Sequence, residues 1–260
     1  MNEDKRIDLA DAAALVQSGQ VLALGGMTLY RRPVAFVYEL LRHHPQSLTL
    51  LNFTAGYESD LLVGAGCVSR VRSCYFGLEI FGFAPMFSAA RDLEVIQESE
   101  GSLAAGFRAT MAGIGFMPAL GWLGTDMLKL RPDIKTVIDP YSGEELIAFP
   151  ALHCNVAVIH ALVADRSGNA RLNQNRAVDA ELALIADTVI ITTEEIVDEL
   201  SNDVDIVGAL VKGVAHAPRG AWPTSCYPLY SVAGEEILRY VDACNAGQFE
   251  QYLAQVLSTA

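Results

Sequence analysis

Four short segments carry residue types able to bind or activate a small substrate. The first is Leu24-Gly25-Gly26-Met27-Thr28, followed by Arg31-Arg32-Pro33. Paired glycines let a backbone approach a ligand closely, free N–H groups at a helix start attract anions, and guanidinium groups pair with carboxylate or phosphate. Gly25, Gly26, Arg31 and Arg32 are therefore candidate substrate-binding residues; the plainer reading is a tight turn with two solvated arginines. The pattern is neither GxGxxG nor GxxxxGK[ST], so no dinucleotide or P-loop site follows. The second segment is Asn52-Phe53-Thr54-Ala55-Gly56. Asn52 and Thr54 can donate hydrogen bonds to a substrate carbonyl and Gly56 permits close approach, although all three are also ordinary turn residues. The third, Glu98-Ser99-Glu100-Gly101-Ser102, stands just before a helix, whose N-terminus stabilises a carboxylate. Glu100 is a catalytic candidate if it faces a cleft, and a helix cap otherwise. The fourth, Met117 to Asp126, holds Gly121 and Gly124 and reads as an exposed loop in which Gly124 and Thr125 line the same cleft or cap a turn.

Other chemistries lack their signatures. The histidines His43, His44, His153, His160 and His216 show no HxxxH or HxH spacing, and no GxSxG elbow occurs. The five cysteines, Cys67, Cys74, Cys154, Cys226 and Cys244, are odd in number and form no CxxC. Reduced thiols in a cytoplasmic protein are expected, with no metal site and no Ser/His/Asp triad. A net charge of −13 without a basic stripe argues against nucleic acid as a partner. The longest apolar runs, such as Val156 to Val163, fall far short of the roughly 20 residues of a membrane span. The charged start Met1-Asn2-Glu3-Asp4-Lys5-Arg6 has no apolar stretch and does not read as a secretory signal.

The elements that must position these segments alternate between strand-like and helix-like periods. Helices are predicted over Asp8–Ser18, from Pro33 with Phe36, Val37, Leu40 and Leu41 as the apolar face, over Tyr57–Gly64, Ser102–Met111 and Val178–Ala186, and over most of Gly234–Leu257. Strands are predicted at Val21–Leu24, Leu48–Phe53, Arg70–Phe76, Leu93–Ile96, Cys154–Ala164 and Thr188–Thr192, with a hairpin over Thr136–Pro150 turning at Tyr141-Ser142-Gly143. The alternation implies an α/β fold, a largely parallel sheet covered by helices on both faces. With 52% hydrophobic residues and no linker or repeat, residues 1–260 read as a single domain.

Taken in order, these pieces resemble the α, or A, subunit of family I CoA-transferases, the group that includes glutaconate CoA-transferase. The resemblance covers most of the chain. It rests on Gly25-Gly26 before Arg31-Arg32-Pro33, Asn52 to Gly56, Glu98 to Gly101 leading into Arg108, Phe116-Met117-Pro118 leading to Leu123-Gly124-Thr125-Asp126, and Ala164-Asp165-Arg166-Ser167-Gly168-Asn169. It implies a heteromer of two similarly folded subunits with the active site at their interface, taking an acyl-CoA and a small carboxylic acid as substrates. No tightly bound cofactor is implied beyond the coenzyme A thioester itself. The homologous β subunit supplies the glutamate that attacks the thioester, splitting one difficult exchange into easier steps. The β-type turn after the second strand reads Glu-Ser-Gly or Glu-Asn-Gly; here it is Thr54-Ala55-Gly56, which points to the α type. A related branch, a steroid-ring-opening CoA-ester hydrolase, has a functional glutamate in a segment similar to Glu98-Ser99-Glu100-Gly101, with Glu100 at the matching position. The fold class also includes small-ligand sensing domains, but no basic helix-turn-helix segment accompanies this chain.

Overall fold

The computed structural model describes residues 3–259; Met1 and Asn2, the first residues of the charged start, and Ala260, the end of the predicted domain, lie outside the described residues. The chain runs α1 (Leu9–Ala14), β1 (Val21–Leu24), α2 (Val34–His43), β2 (Leu48–Ala55), α3 (Tyr57–Gly64), β3 (Val68–Phe76), α4 (Pro85–Ala89), β4 (Glu94–Gln97), α5 (Glu100–Met111), β5 (Phe116–Ala119), α6 (Met127–Leu130), β6 (Lys135–Ile138), β7 (Glu145–Pro150), β8 (Cys154–Asp165), β9 (Ala170–Arg171), α7 (Asp179–Ile185), β10 (Ala186–Val197), β11 (Val211–His216), α8 (Gly234–Asn245) and α9 (Phe249–Thr259). The main sheet has the order β11-β10-β8-β1-β2-β3-β4, all parallel, with β9 folded back antiparallel on β8.

Both faces of the central strands β1, β2 and β8 are buried, as a parallel sheet requires. Leu22, Leu24, Leu48, Leu50, Val156 and Val158 share one core with Phe36 and Leu40 of α2, Leu61 of α3, Tyr240 of α8 and Phe249 of α9. Their strand neighbours Ala23, Leu51 and Ala157 point the other way, to Leu103 and Phe107 of α5 and Leu182 and Ile185 of α7. This is the period of two expected of a strand. The predicted hairpin over Thr136–Pro150 forms as β6 and β7, and β5 joins it in an antiparallel sheet of order β5-β7-β6. Ile147 and Phe149 of β7 pack there with Trp122 and with Ala105 of α5, so α5 serves both sheets.

Several boundaries differ from the sequence expectation for identifiable reasons. Helix α1 stops at Ala14 instead of Ser18. Strand β2 continues past Phe53 to Ala55 because Thr54 and Ala55 pair with Tyr75 and Phe76, so Thr54 lies inside a strand. Helix α5 begins at Glu100 instead of Ser102, because Ser99 and Ser102 cap each other reciprocally. Strand β10 extends from Ala186 to Val197 because β8 offers it a full-length partner. The predicted C-terminal helix breaks into α8 and α9 around Gly247, which has φ +71°. The strand expected ahead of the Gly121–Gly124 loop forms as β5, whereas β9, only two residues long, and β11, whose pattern Gly213 interrupts, are additional to the sequence expectation.

Strand β1 lies between β2 and β8, and the strand order runs outward from it in both directions. Open α/β sheets bind ligands beyond the carboxyl ends of strands beside such a reversal. The turns after β1 and β2 stand at that edge.

Candidate active site at the carboxyl edge of the sheet

The turn after β1 is held by the chain itself. Gly25 N–H donates to Val158 O at 2.8 Å, and Gly26 N–H donates to Asp179 Oδ1 at 2.8 Å. The backbone then doubles back, Met27 and Tyr30 exchanging hydrogen bonds at 2.9 and 2.7 Å. Gly26 has φ +81°, and a Cβ there would overlap Tyr30 O and lie 2.6 Å from Arg31 O. A Cβ on Gly25 would lie 2.9 Å from Asp179 Oδ1. The close approach that sequence reading reserved for a ligand is therefore made by backbone and by Asp179. Thr28 ties this turn to the end of β2: its N–H donates to Thr54 Oγ1 at 2.8 Å, and a Cβ on Gly56 would overlap its carbonyl oxygen. Asn52 is fully buried, its Oδ1 accepting from Leu24 N–H at 3.1 Å and its Nδ2 donating to Ser59 Oγ at 2.8 Å. Gly25, Gly26, Asn52, Thr54 and Gly56 thus converge, joined as the frame of the strand ends.

Arg31 and Arg32 correct the expectation of solvated or ligand-facing guanidinium groups. Both side chains are completely buried. Arg31 pairs with Asp179 at 2.7 Å and donates to His160 O at 2.6 Å and Asn175 O at 2.9 Å. Arg32 pairs with Glu58 of α3 at 2.6 Å, leaving Arg32 Nε and Nη1 and Glu58 Oε2 without hydrogen-bond partners. Neither arginine is free for an anion in solvent, because desolvation obliges a buried guanidinium to take an internal carboxylate.

The outward rim carries other groups. Thr28 Oγ1 donates to Glu79, whose N–H donates to Tyr75 Oη at 3.2 Å. Thr28, Arg31 and Glu79 adopt left-handed backbone conformations with φ of 44°, 53° and 54°, values that non-glycine residues hold only when their surroundings impose them. Beside β3, the segment Glu98-Ser99-Glu100 is clamped. Glu98 accepts from Arg131 Nη1 at 2.7 Å and from Ser102 Oγ at 2.6 Å, and Trp122 Nε1 donates to Ser99 Oγ at 3.0 Å. Ser99 is the cap; Glu100 is the first helical residue, exposed, with no hydrogen bond or ion pair among the described residues. Gly124 and Thr125 are exposed in the loop that Trp122 anchors against Ser99, with Thr125 Oγ1 donating to Trp122 O at 2.8 Å. They are brought near Glu100's segment and not onto the turns after β1 and β2. The rim is also apolar: Tyr30, Ile80, Phe83, Tyr227 and Leu229 are 41%, 90%, 86%, 67% and 58% exposed.

Residues 6–216 match the model of the coenzyme A transferase family. The chain belongs to the coenzyme A transferase family. It is 33% identical over 224 residues to the A-type subunit of 3-oxoadipate CoA-transferase from Pseudomonas knackmussii, covering 83% of this chain and 79% of that one. It is 30% identical over 274 residues to the cholesterol ring-cleaving hydrolase IpdA subunit of Rhodococcus jostii, covering 98% and 92%. An uncharacterised protein of Archaeoglobus fulgidus is 34% identical over 252 residues, but these span 92% of this chain and only 56% of that longer one. Among solved structures, glutaconate coenzyme A-transferase of Acidaminococcus fermentans superposes with a TM-score of 0.90 at 29% identity, covering 96% of this chain and 88% of that one. The decarboxylase AibA/AibB superposes with a TM-score of 0.93 at 29% identity, covering 99% and 100%. The coenzyme A transferase fold thus carries transferase, ring-cleaving and decarboxylase names, and the site's own residues must distinguish among them.

Sequence reading missed the partners that make this family member's edge work as a unit. Asp179, Glu58 and Glu79 lie 153, 26 and 51 residues from the Gly26, Arg32 and Thr28 groups they hold. Long separation leaves no local signal. A buried Arg-Arg pair does demand two acidic partners, but the sequence does not say which.

Proposed function

We propose that this chain is the α-type subunit of a heteromeric CoA-transferase that moves CoA between an acyl-CoA thioester and a small carboxylic acid. A similarly folded β-type partner supplies the nucleophilic glutamate. The observation that carries this reading is the end of β2. Thr54 and Gly56 are locked to the Thr28 turn, and the next carboxylate, Glu58, is fully buried against Arg32. This chain therefore presents no attacking carboxylate at the strand end where the β-type pattern has one. The partner's glutamate would attack the thioester carbon, expelling CoA thiolate and leaving a mixed anhydride. The thiolate returns to the glutamyl carbon, releasing the first acid as its carboxylate, and the resulting glutamyl thioester passes CoA to the second acid through the same two steps in reverse. The exposed apolar rim from Tyr30 to Leu229 suits a subunit interface over this edge. The free cysteines suit a reducing, cytoplasmic setting, and no helix among the described residues is long and apolar enough to cross a membrane. The CoA thioester is a substrate in this reading, and no resident cofactor enters it.

A second reading is a ring-opening hydrolase subunit, favoured by one observation: Glu100 is an exposed, unpaired carboxylate on a segment clamped by Arg131 and Trp122. Glu100→Gln separates the two. For the transferase, acyl exchange by the purified heteromer stays within about 10-fold of wild type, because Glu100 is neither nucleophile nor general acid. For the hydrolase, loss of a positioned acid–base costs about 10²- to 10⁴-fold.

A further inference from the structure

Two strands and a loop bring together three donor atoms that no sequence spacing relates. His160 lies on β8, Glu194 on β10, and Cys226 in the segment after β11. His160 stands opposite Thr192 in the β8–β10 pairing, so Glu194, two residues further along, shares its sheet face. A ring nitrogen of His160, a carboxylate oxygen of Glu194 and Cys226 Sγ all lie within 4.8 Å of one another. His160 and Cys226 are fully buried, and Glu194's side chain is 8% exposed.

We infer that His160, Glu194 and Cys226 form a binding site for a borderline-soft transition-metal ion, zinc in the first instance. The donor set decides the class. Imidazole, carboxylate and thiolate together suit zinc, whereas magnesium and calcium take oxygen ligands. Zinc bonds of about 2.0–2.3 Å put tetrahedral donors about 3.3–3.8 Å apart, so any pair near the 4.8 Å bound must draw in by about 1 Å. The groups that orient such ligands are already in place. His160 Nδ1 lies 2.9 Å from Thr192 Oγ1, Glu194 Oε2 accepts from Arg219 N–H at 2.6 Å, and Tyr230 Oη donates to Glu194 Oε1. Glu194 also lacks a permanent countercharge. Its one ion-pair partner among the described residues is His160, at 3.0 Å. Arg31, the nearest buried guanidinium, is taken by Asp179, and the Arg219 guanidinium lies over the Tyr230 ring at 5.4 Å.

The protons balance. His160 moves its proton from Nε2 to Nδ1, where it is donated to Thr192 Oγ1; Cys226 binds as the thiolate and releases its thiol proton to solvent; Tyr230 keeps its proton. Each ion bound therefore releases one proton net. The ion fixes the Arg219–Tyr230 segment to β8 and β10, and that segment carries Tyr227 and Leu229 to the apolar rim. The site is independent of whichever reaction the carboxyl edge performs.

The test is metal titration of the full chain after chelator treatment, first with zinc against a chromophoric competitor and then with cobalt(II). One equivalent should bind with an apparent Kd of about 1 μM or tighter. The cobalt form should show a thiolate-to-cobalt charge-transfer band in the near ultraviolet, and Cys226→Ser should abolish it. Glu194→Gln should weaken zinc by at least about 10-fold, which keeps the assignment testable if the cysteine variant fails to fold. No stoichiometric uptake, a cobalt spectrum without the thiolate band, a band that persists in Cys226→Ser, or unchanged zinc affinity in Glu194→Gln would each overturn the site.

Discussion

Replacing Gly26 with alanine isolates what the turn after β1 demands. Gly26 and Gly143 share nearly the same backbone, with φ of +81° and +77°, but their surroundings differ. A Cβ on Gly143 meets nothing within 4 Å, whereas on Gly26 it overlaps Tyr30 O and comes within 2.6 Å of Arg31 O. Both substitutions carry the left-handed penalty of an L-residue, about 1–2 kcal/mol. Gly26→Ala must in addition displace two backbone carbonyls fixed by the Met27–Tyr30 bonds and by the buried Arg31–Asp179 pair, for about 1–3 kcal/mol more. The expected losses are about 2–5 kcal/mol for Gly26→Ala and about 1–2 kcal/mol for Gly143→Ala. Urea unfolding at constant m-value measures both, the difference appearing as a lower midpoint for Gly26→Ala. Equal losses at the two positions would refute the claim that the chain's own backbone, and not a ligand, requires glycine at Gly26.

Three further outcomes follow from the same geometry. Arg32→Met should destabilise by about 3–5 kcal/mol, because Glu58 is left charged and buried, and adding Glu58→Leu should recover much of that loss in urea titrations. Burial pushes the Asp60 carboxyl up from its ordinary value of 3.8 to about 6, so the folded chain holds a proton there that the unfolded chain has lost. Its contribution is complete below about pH 4 and fades as pH rises through about 6; Asp60→Asn, read by unfolding between pH 4 and 7, should flatten this fall, worth up to about 3 kcal/mol. Ile80→Ser combined with Phe83→Ser should leave the isolated chain's stability within about 0.5 kcal/mol but weaken assembly with the β-type partner by at least about 10-fold, measured by analytical ultracentrifugation.

The layered α/β architecture was legible because its signals are local. Leu22, Leu24, Leu48 and Leu50 alternate with residues facing the other side, and Phe36, Val37, Leu40 and Leu41 mark one helix face with Pro33 at its start. The placement of Gly25-Gly26 and Thr54-Ala55-Gly56 at strand ends could also be read. What those residues do there was not legible. An Arg-Arg pair looks the same in sequence whether it faces solvent or closes a core, and only the approach of Asp179 and Glu58 from distant elements settles it. The capping residue before α5 was misplaced for a smaller reason: Ser99 outcompetes its acidic neighbours because its hydroxyl reaches Ser102 N–H at 3.2 Å, freeing Glu100 to point outward. His160, Glu194 and Cys226 gave no spacing signal because three separate elements carry them.

Adduct mapping tests the central claim most directly. The heteromer, co-purified from cells expressing both chains, is incubated with acyl-CoA, the trapped intermediate is reduced with borohydride, and each chain is digested for mass spectrometry. The proposal predicts one modified glutamate, on the partner, and unmodified Glu58, Glu79, Glu98 and Glu100 on this chain. A reduced glutamate on this chain, or full exchange activity from this chain purified alone, would contradict it.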